Sequence, residues 1–108
     1  MSVNKRLVNP LMDQLCEGIL SLITIDECYE FFEDLCTVNE LRDMSQRLEV
    51  ARLLRTGEKY ERIEKATGAS TATISRVKRC LNYGADGYAT VLARLETMEE
   101  GRGHGSAT

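Results

Sequence analysis

Apolar residues recur at intervals of three or four along most of the chain, as they do on the buried face of an α-helix. The first such series consists of Leu7, Leu11, Leu15, Ile19 and Leu22. No stretch favours a strand. The successive series predict six helices, over about residues 7–22, 25–36, 37–55 and 86–99, with two short helices within residues 60–81 around the turn Thr-Gly-Ala at residues 67–69. The sequence therefore predicts an all-α fold.

Polar and glycine residues stand where these helices are expected to begin and end. Thr24 can cap the second helix. Thr37 and Glu40 form a capping box, in which each side chain accepts a hydrogen bond from the other residue's backbone N–H. Gly57 ends the third helix, and the run Asn-Tyr-Gly at residues 82–84 ends the fifth.

Residues 60–81 have the pattern of two short helices joined by a tight turn. Gly68 can adopt the positive φ that such a turn requires, and Ser70 or Thr71 can cap the helix that follows. Four apolar residues can pack into one seam that fixes the crossing angle of the two helices, namely Ile63, Ala69, Ile74 and Val77. This pattern is typical of a DNA-binding helix-turn-helix.

The opposite face of the second of these helices carries hydroxyl, methyl and guanidinium groups. Hydroxyls and methyls fit against base edges, and arginine bonds guanine or a phosphate. Residues 70–83 include three basic residues and no acidic one. The predicted contacts to double-stranded DNA are Ser70, Thr71, Ala72, Thr73, Ser75, Arg76, Lys78 and Arg79, with Lys78 on a phosphate.

An ordinary αα-hairpin with a solvated basic helix is the alternative interpretation of the same residues. Glu64 favours it, because a small residue usually faces the partner helix at that position. The distribution of charge favours DNA. The chain has a formal net charge of −3, yet residues 42–79 hold ten basic and five acidic residues. Phosphates respond to this local charge, so the acidic total does not exclude nucleic acid.

The other reactive side chains form no catalytic or metal-binding pattern. The four cysteines include no C-x-x-C pair, and the single histidine is His104. A zinc site therefore lacks the necessary ligand spacing, and we expect reduced and mostly buried thiols at Cys16, Cys28, Cys36 and Cys80. A glycine-rich phosphate loop is absent as well. We expect no enzymatic activity, no metal and no cofactor.

The length of 108 residues fits one domain. We expect a helix-turn-helix domain over residues 1–100, with the DNA-reading part at about residues 58–82 and a dimer core formed by the remaining helices. Residues 101–108 are small and polar and are predicted to be disordered. No apolar run at the N-terminus is long enough for a signal or membrane segment, so a cytoplasmic protein is expected.

A homodimer is favoured over a monomeric helix bundle. Helix-turn-helix proteins usually read two half-sites about 34 Å apart, which requires two copies of the motif, and this chain holds one. The helices that precede the motif are rich in leucine, isoleucine and phenylalanine. Such helices are suitable material for a two-fold interface.

Residues 35–81 resemble the tryptophan repressor. The strongest local match is G-A-S-T-A-T-I-S-R at residues 68–76, supported by L-L-R-T-G-E at residues 53–58. The runs D-L-C-T-V-N-E at residues 34–40 and C-L-N-Y-G at residues 80–84 are similar to the YerC/YecD branch of tryptophan-repressor-like proteins. This resemblance implies an intertwined all-α homodimer that binds operator DNA as a transcriptional regulator, a repressor.

The resemblance also implies a possible effector site. Thr37, Arg47 and Arg76 match family residues that contact the ammonium group, the carboxylate and the indole of the corepressor. Val77 stands where the family's repressor has a glycine, and overfilling a packed site typically costs about 1–3 kcal/mol. Cys80 replaces a serine, and a thiol is a weak donor. These departures favour a small effector other than tryptophan, or none.

The alternative function is a protein-interaction module that keeps the fold without sequence-specific DNA reading. It would act through the second helix, where residues 26–34 contain five acidic residues and no basic one. The two functions predict different effects of removing Arg76 and Arg79. DNA binding should be lost, whereas an interaction through residues 26–34 should persist.

Overall fold

The computed structural model describes residues 3–105. Over this range the chain forms six α-helices and no strand, after a short 3-10 turn at Lys5–Leu7. The helices are α1 (Pro10–Leu20), α2 (Ile25–Leu35), α3 (Val38–Arg55), α4 (Tyr60–Thr67), α5 (Thr71–Tyr83) and α6 (Gly87–Gly105). The prediction of an all-α fold is confirmed.

The first helix begins three residues later than its apolar series predicts. Pro10 is its first residue, and the side-chain oxygen of Asn9 accepts a hydrogen bond from the Met12 backbone N–H at 2.9 Å. Proline lacks a backbone N–H and is tolerated in the first turn of a helix, where that group would be unpaired. Leu7 therefore belongs to the preceding 3-10 turn instead of to α1.

Side-chain hydrogen bonds cap the start of both α2 and α3, and those of α3 form a capping box. The Thr24 hydroxyl accepts a hydrogen bond from the Glu27 N–H, and the Glu27 carboxylate accepts one from the Ile23 N–H at 2.7 Å. At α3 the Thr37 N–H donates to Glu40 Oε1 at 2.8 Å, and the Glu40 N–H donates to Thr37 Oγ1 at 3.1 Å. The bond from the Thr37 backbone, followed by that from its side chain, lowers the pKa of Glu40.

The last helix continues to Gly105, beyond the boundary that the sequence predicts. Glycine is unfavourable inside a helix by about 1 kcal/mol relative to alanine, but adding residues to an existing helix is easier than starting a new one. The helical backbone therefore extends into the segment predicted to be disordered. Residues 106–108 of that predicted tail lie outside the described residues.

Two compact units make up the chain, residues 1–45 and residues 46–108. All buried apolar residues of the described chain belong to the second unit, and they are Val50, Ala51, Ile63, Ala69, Ile74, Val77 and Leu92. The C-terminal part of α3 joins this core to α6 through Arg55, whose Nη1 donates to the Ala89 carbonyl oxygen at 3.0 Å. The second unit thus has an interior of its own, which holds the helix-turn-helix in place.

The first unit has no buried residue among its described residues. Large apolar side chains of α1 and of the segment that follows it are open to solvent, with exposed fractions of 79% for Leu11, 83% for Leu20 and 86% for Ile23. On α2, Ile25 is 69% exposed and Leu35 49%, whereas Phe31 and Phe32 are only partly buried. Single-chain burial therefore does not account for the amphipathic pattern of these helices.

The prediction of mostly buried thiols is wrong for a single chain. All four cysteines lie within the described residues and are free, but Cys16 and Cys80 are exposed, whereas Cys28 and Cys36 are partly exposed. Three of them belong to the first unit, which has no buried residue among those described, and Cys80 lies on α5 at the edge of a shallow pocket that Leu48 and Tyr88 also line. Among the described residues, no helix is long and apolar enough to span a membrane.

Candidate nucleic-acid interface

The turn between α4 and α5 is fixed by glycine and by hydrogen bonds. Gly68 has φ 75°, the left-handed conformation that the sequence predicts for this position. The Thr67 hydroxyl donates to the Ile63 carbonyl oxygen at 2.7 Å and accepts from the Ala69 N–H at 3.1 Å. Gln46 Nε2, on α3, donates to the Thr67 carbonyl oxygen at 3.0 Å. These bonds tie the turn to the long helix behind it.

The predicted apolar seam between the two helices is present. Ile63 and Ile74 are fully buried, Val77 is 1% exposed and Ala69 is 4% exposed. They belong to one core cluster that also includes Leu92 on α6. Because branched side chains in a close-packed interior resist displacement, this seam sets the orientation of α5 on the second unit.

Ser70 is the residue that caps α5, which decides between the two candidates that the sequence left open. Its Oγ accepts a hydrogen bond from the Thr73 backbone N–H at 3.1 Å. The same hydroxyl donates to Thr73 Oγ1, also at 3.1 Å. Thr71 is the first residue of the helix, so its side chain is available for other contacts.

The outer surface of α5 presents five side chains together. Opposite the buried Ile74 and Val77, helical spacing places Thr71, Ala72, Ser75, Arg76 and Arg79 on one side, and all five are exposed. We call these five residues the contact face. The sequence of α5 contains no acidic residue, so the contact face carries two positive charges without an opposing charge on the same helix.

The other three predicted DNA contacts lie beside the contact face. Ser70 occupies the cap position, and Thr73 is half-buried, with its hydroxyl held by Ser70. Lys78 is exposed, and its Nζ lies 5.7 Å from the centre of the Tyr60 ring. A cation over the face of an aromatic ring is attracted to it. The ring of α4 thus holds the lysine at the edge of the motif.

Glu64 occupies a different environment from the one that its position in the sequence indicates. It is exposed instead of facing α5 at the interhelix seam. The Thr71 hydroxyl donates to Glu64 Oε1 at 2.8 Å, so the two helices are joined across the start of α5. A glutamate at this position is therefore accommodated at the exposed edge between the two helices. Sequence reasoning missed this bond because the two residues are seven positions apart and on different helices.

Helix α5 ends where the backbone of residue 84 comes close to the preceding helical turn. Gly84 follows the last residue of α5, and its N–H donates to the Cys80 carbonyl oxygen at 2.9 Å. A Cβ atom at residue 84 would overlap that oxygen and lie 3.0 Å from the Cys80 Cα. The predicted end of the helix is confirmed. Glycine is required here because a side chain has no space. A positive φ is not the reason, since φ at Gly84 is −88°.

Comparison with known proteins shows which family has this architecture. The model of the Trp repressor protein family matches residues 11–96, which is most of the chain. The chain belongs to the Trp repressor family. YerC of Bacillus subtilis (strain 168), described as an uncharacterized protein, is 61% identical over 88 residues, which are 82% of this chain and 85% of YerC. The assignment to the YerC branch is thereby confirmed.

Two solved structures of this family have closely similar folds. One is a candidate Trp repressor from Staphylococcus aureus, with a TM-score of 0.82 and 50% identity, and the match covers 85% of this chain and 92% of that one. The other is a TrpR-like protein from Eubacterium eligens ATCC 27750, with a TM-score of 0.83 and 55% identity, covering 86% and 96%. The family fold thus extends over both units of the chain.

The three predicted effector contacts have different environments. Thr37 is exposed, and both its N–H and its hydroxyl are used by the capping box of α3. Arg47 is partly buried on α3, and Arg76 is exposed on the contact face. Val77 is part of the core, so its methyl groups fill space that a glycine would leave open. Among the described residues, no group of three or more metal-ligating side chains is gathered in one place.

Proposed function

We propose that this protein is a sequence-specific DNA-binding transcriptional regulator, a repressor, that reads operator DNA as a homodimer through α5. The observation that carries the proposal is the contact face, which is exposed, basic and fixed on a buried seam. An α-helix fits the major groove, where each base pair presents a distinct pattern of donors, acceptors and methyl groups. The activity proposed is binding, not catalysis.

Different members of the predicted set would contact different parts of the DNA. Arg76 and Arg79 are long enough to bond guanine or a phosphate, whereas Thr71, Ala72 and Ser75 suit close contact with base edges. Lys78 and Ser70, beside the contact face, are assigned to the phosphate backbone. Thr73 is assigned a supporting role, because its hydroxyl takes part in the cap of α5.

Dimerisation is supported by the first unit, whose described residues form amphipathic helices without a buried side chain. A cavity of about 680 Å³ lies between α2 and α3 and is lined largely by apolar side chains, among them Ile25, Phe32 and Leu41. Exposed apolar patches of this kind mark interaction sites. We propose that a second copy of the chain covers them, which also supplies the second recognition helix for a two-fold operator.

The proposed effector is a small molecule other than tryptophan, with Thr37, Arg47 and Arg76 as its candidate contacts and Arg47 as the candidate for binding a carboxylate. Arg76 belongs to the contact face as well, so an effector held by this guanidinium would alter the DNA contacts directly. A regulator that needs no effector is the other form of the proposal. Val77 supports both forms, because its side chain is committed to the core.

A second candidate function is protein interaction without DNA reading. The observation that favours it is the surface of α2, where Asp26, Glu30, Glu33 and Asp34 are exposed together with Tyr29. Such a surface fits a basic partner. DNA reading remains the better supported function, because nothing in this second candidate accounts for the basic contact face of α5.

Selection of bound DNA from a random duplex library at physiological salt tests the proposal. The expected result is a two-fold symmetric site whose halves lie about one helical turn apart. The selection is run with and without pooled cell metabolites, which separates a missing effector from an inactive recognition helix. The double variant Arg76→Ala/Arg79→Ala should lose the site. Failure to enrich any sequence under both conditions, with folded protein, would refute sequence-specific reading.

A further inference from the structure

Glu64 lies beside the start of the contact face and is joined to it by one hydrogen bond. The Thr71 hydroxyl donates to Glu64 Oε1 at 2.8 Å, and both side chains are exposed. This bond holds a carboxylate from α4 next to the first residue of α5. A carboxylate near a helix N-terminus is stabilised by the partial positive charge there. The carboxylate therefore lies at the surface that the proposed function assigns to DNA.

Because of the hydrogen bond between Thr71 and Glu64, these two side chains offer only acceptor atoms to a ligand. A hydroxyl has one proton, and that of Thr71 points to Glu64, so outward the Thr71 oxygen can only accept. An ionised carboxylate has about four lone-pair sites, of which the Thr71 hydroxyl uses one. A phosphate oxygen is itself an acceptor with negative charge and is repelled here. The ligand that fits is a neutral donor, such as the amino group of a base.

Resting on the proposed function, we propose that Glu64 is a specificity-determining residue that accepts a hydrogen bond from the amino group of a cytosine in the major groove. Cytosine presents its N4 amino group there as a donor, and glutamate is a suitable acceptor for it. Adenine presents its amino group next to the N7 acceptor, which would face the carboxylate unfavourably. Thymine and guanine offer acceptors at the corresponding edge. Glu64 therefore favours cytosine through a hydrogen bond and disfavours the other three bases, whose acceptor atoms it repels.

The same carboxylate lowers affinity for DNA of the wrong sequence. Non-specific binding depends on phosphates and is opposed by a negative charge at the interface. Removing Glu64 should raise affinity for random duplex while reducing discrimination at one base position. A good contact to a base edge changes discrimination by roughly tenfold to hundredfold. This combination of effects differs from the simple loss of affinity expected for a removed arginine.

The test compares Glu64→Ala with Glu61→Ala by selection from a random duplex library and by competition binding at fixed salt. Glu61 is a matched control, because it is also an exposed glutamate on α4, in the first turn of that helix. Each change removes one negative charge and introduces a good helix former. Thermal unfolding of both variants checks that the fold is retained.

We expect the wild-type site to contain one position per half-site at which cytosine is preferred. Glu64→Ala should reduce that preference about tenfold or more, whereas Glu61→Ala should leave it unchanged. An equal cytosine preference in wild type and Glu64→Ala overturns this inference and leaves the proposed function standing. A wild-type site without a cytosine position also overturns it. Failure of the wild type to enrich any sequence refutes the proposed function and this inference together.

Discussion

Alanine at position 84 should destabilise the second unit, because the backbone of α5 occupies the space that its side chain needs. The added Cβ would overlap the Cys80 carbonyl oxygen and lie 3.0 Å from the Cys80 Cα and 3.1 Å from its carbonyl carbon. All three atoms belong to the backbone of the preceding helical turn. Relief therefore requires the end of α5 or the segment leading to α6 to move.

The expected cost combines two effects. Overfilling a well-packed position costs about 1–3 kcal/mol. Movement of residue 84 also weakens the hydrogen bond from its N–H to the Cys80 carbonyl oxygen, now 2.9 Å long, and such a bond contributes roughly 1 kcal/mol. A total near 2–3 kcal/mol would lower Tm by roughly 8 °C or more for a domain of this size.

The matched control is Gly87→Ala. Gly87 is three residues away, in the first turn of α6, and an added Cβ would meet nothing within 4 Å. Alanine at position 87 should lower the free energy of unfolding by no more than about 0.5 kcal/mol, or should raise it slightly. Thermal unfolding of both variants is followed by circular dichroism at one protein concentration, since the Tm of any protein that associates depends on concentration. A Tm for Gly84→Ala within about 2 °C of the wild type would refute the steric argument.

Three further predictions concern the contact face and the helix caps. Arg76→Ala should weaken operator binding by about 1–3 kcal/mol in a gel shift at matched salt; unchanged affinity would contradict its assigned role. Ser70→Ala should lower the free energy of unfolding by about 1 kcal/mol in urea titration, whereas Thr71→Ala, which leaves the cap intact, should have a smaller effect. Because the pKa of Glu40 is lowered in the folded chain, its stabilisation is complete above its unfolded pKa of about 4.3 and is lost as pH falls through the folded value. Glu40→Gln should therefore flatten the loss of stability on acidification; an unchanged pH profile would contradict this.

Local signals predicted most of the fold correctly. The capping box at Thr37 and the left-handed Gly68 depend on residues within four positions of each other, so their geometry follows from the sequence alone. The seam around Ile63 and Ile74 was also predictable, since helical spacing and a short turn bring these residues together. The start of α1 was predicted wrongly because Leu7 extends the apolar spacing past Pro10, which sets the true boundary.

Features that depend on contacts between distant residues were not predictable. On α3, for example, Val50 is fully buried, whereas Met44 on the same helix is 40% exposed. The choice depends on where α4, α5 and α6 pack, and helical period does not contain that information. The hydrogen bond between Thr71 and Glu64 was missed for the same reason, because it depends on how α4 and α5 pack. The thiols were expected to be buried because cysteine is apolar, yet in one chain the residues around Cys16 and Cys28 have no interior to enter.

The ratio of affinities for a selected duplex and a scrambled duplex of equal length tests the central claim most directly. At physiological salt the wild-type chain should bind the selected site at least about a thousandfold more tightly, as specific DNA-binding proteins do. The Arg76→Ala/Arg79→Ala variant should lose most of this ratio while remaining folded and in the same oligomeric state as the wild type. A wild-type ratio near one, with pooled metabolites present, would contradict the assignment of α5 as a sequence-reading helix.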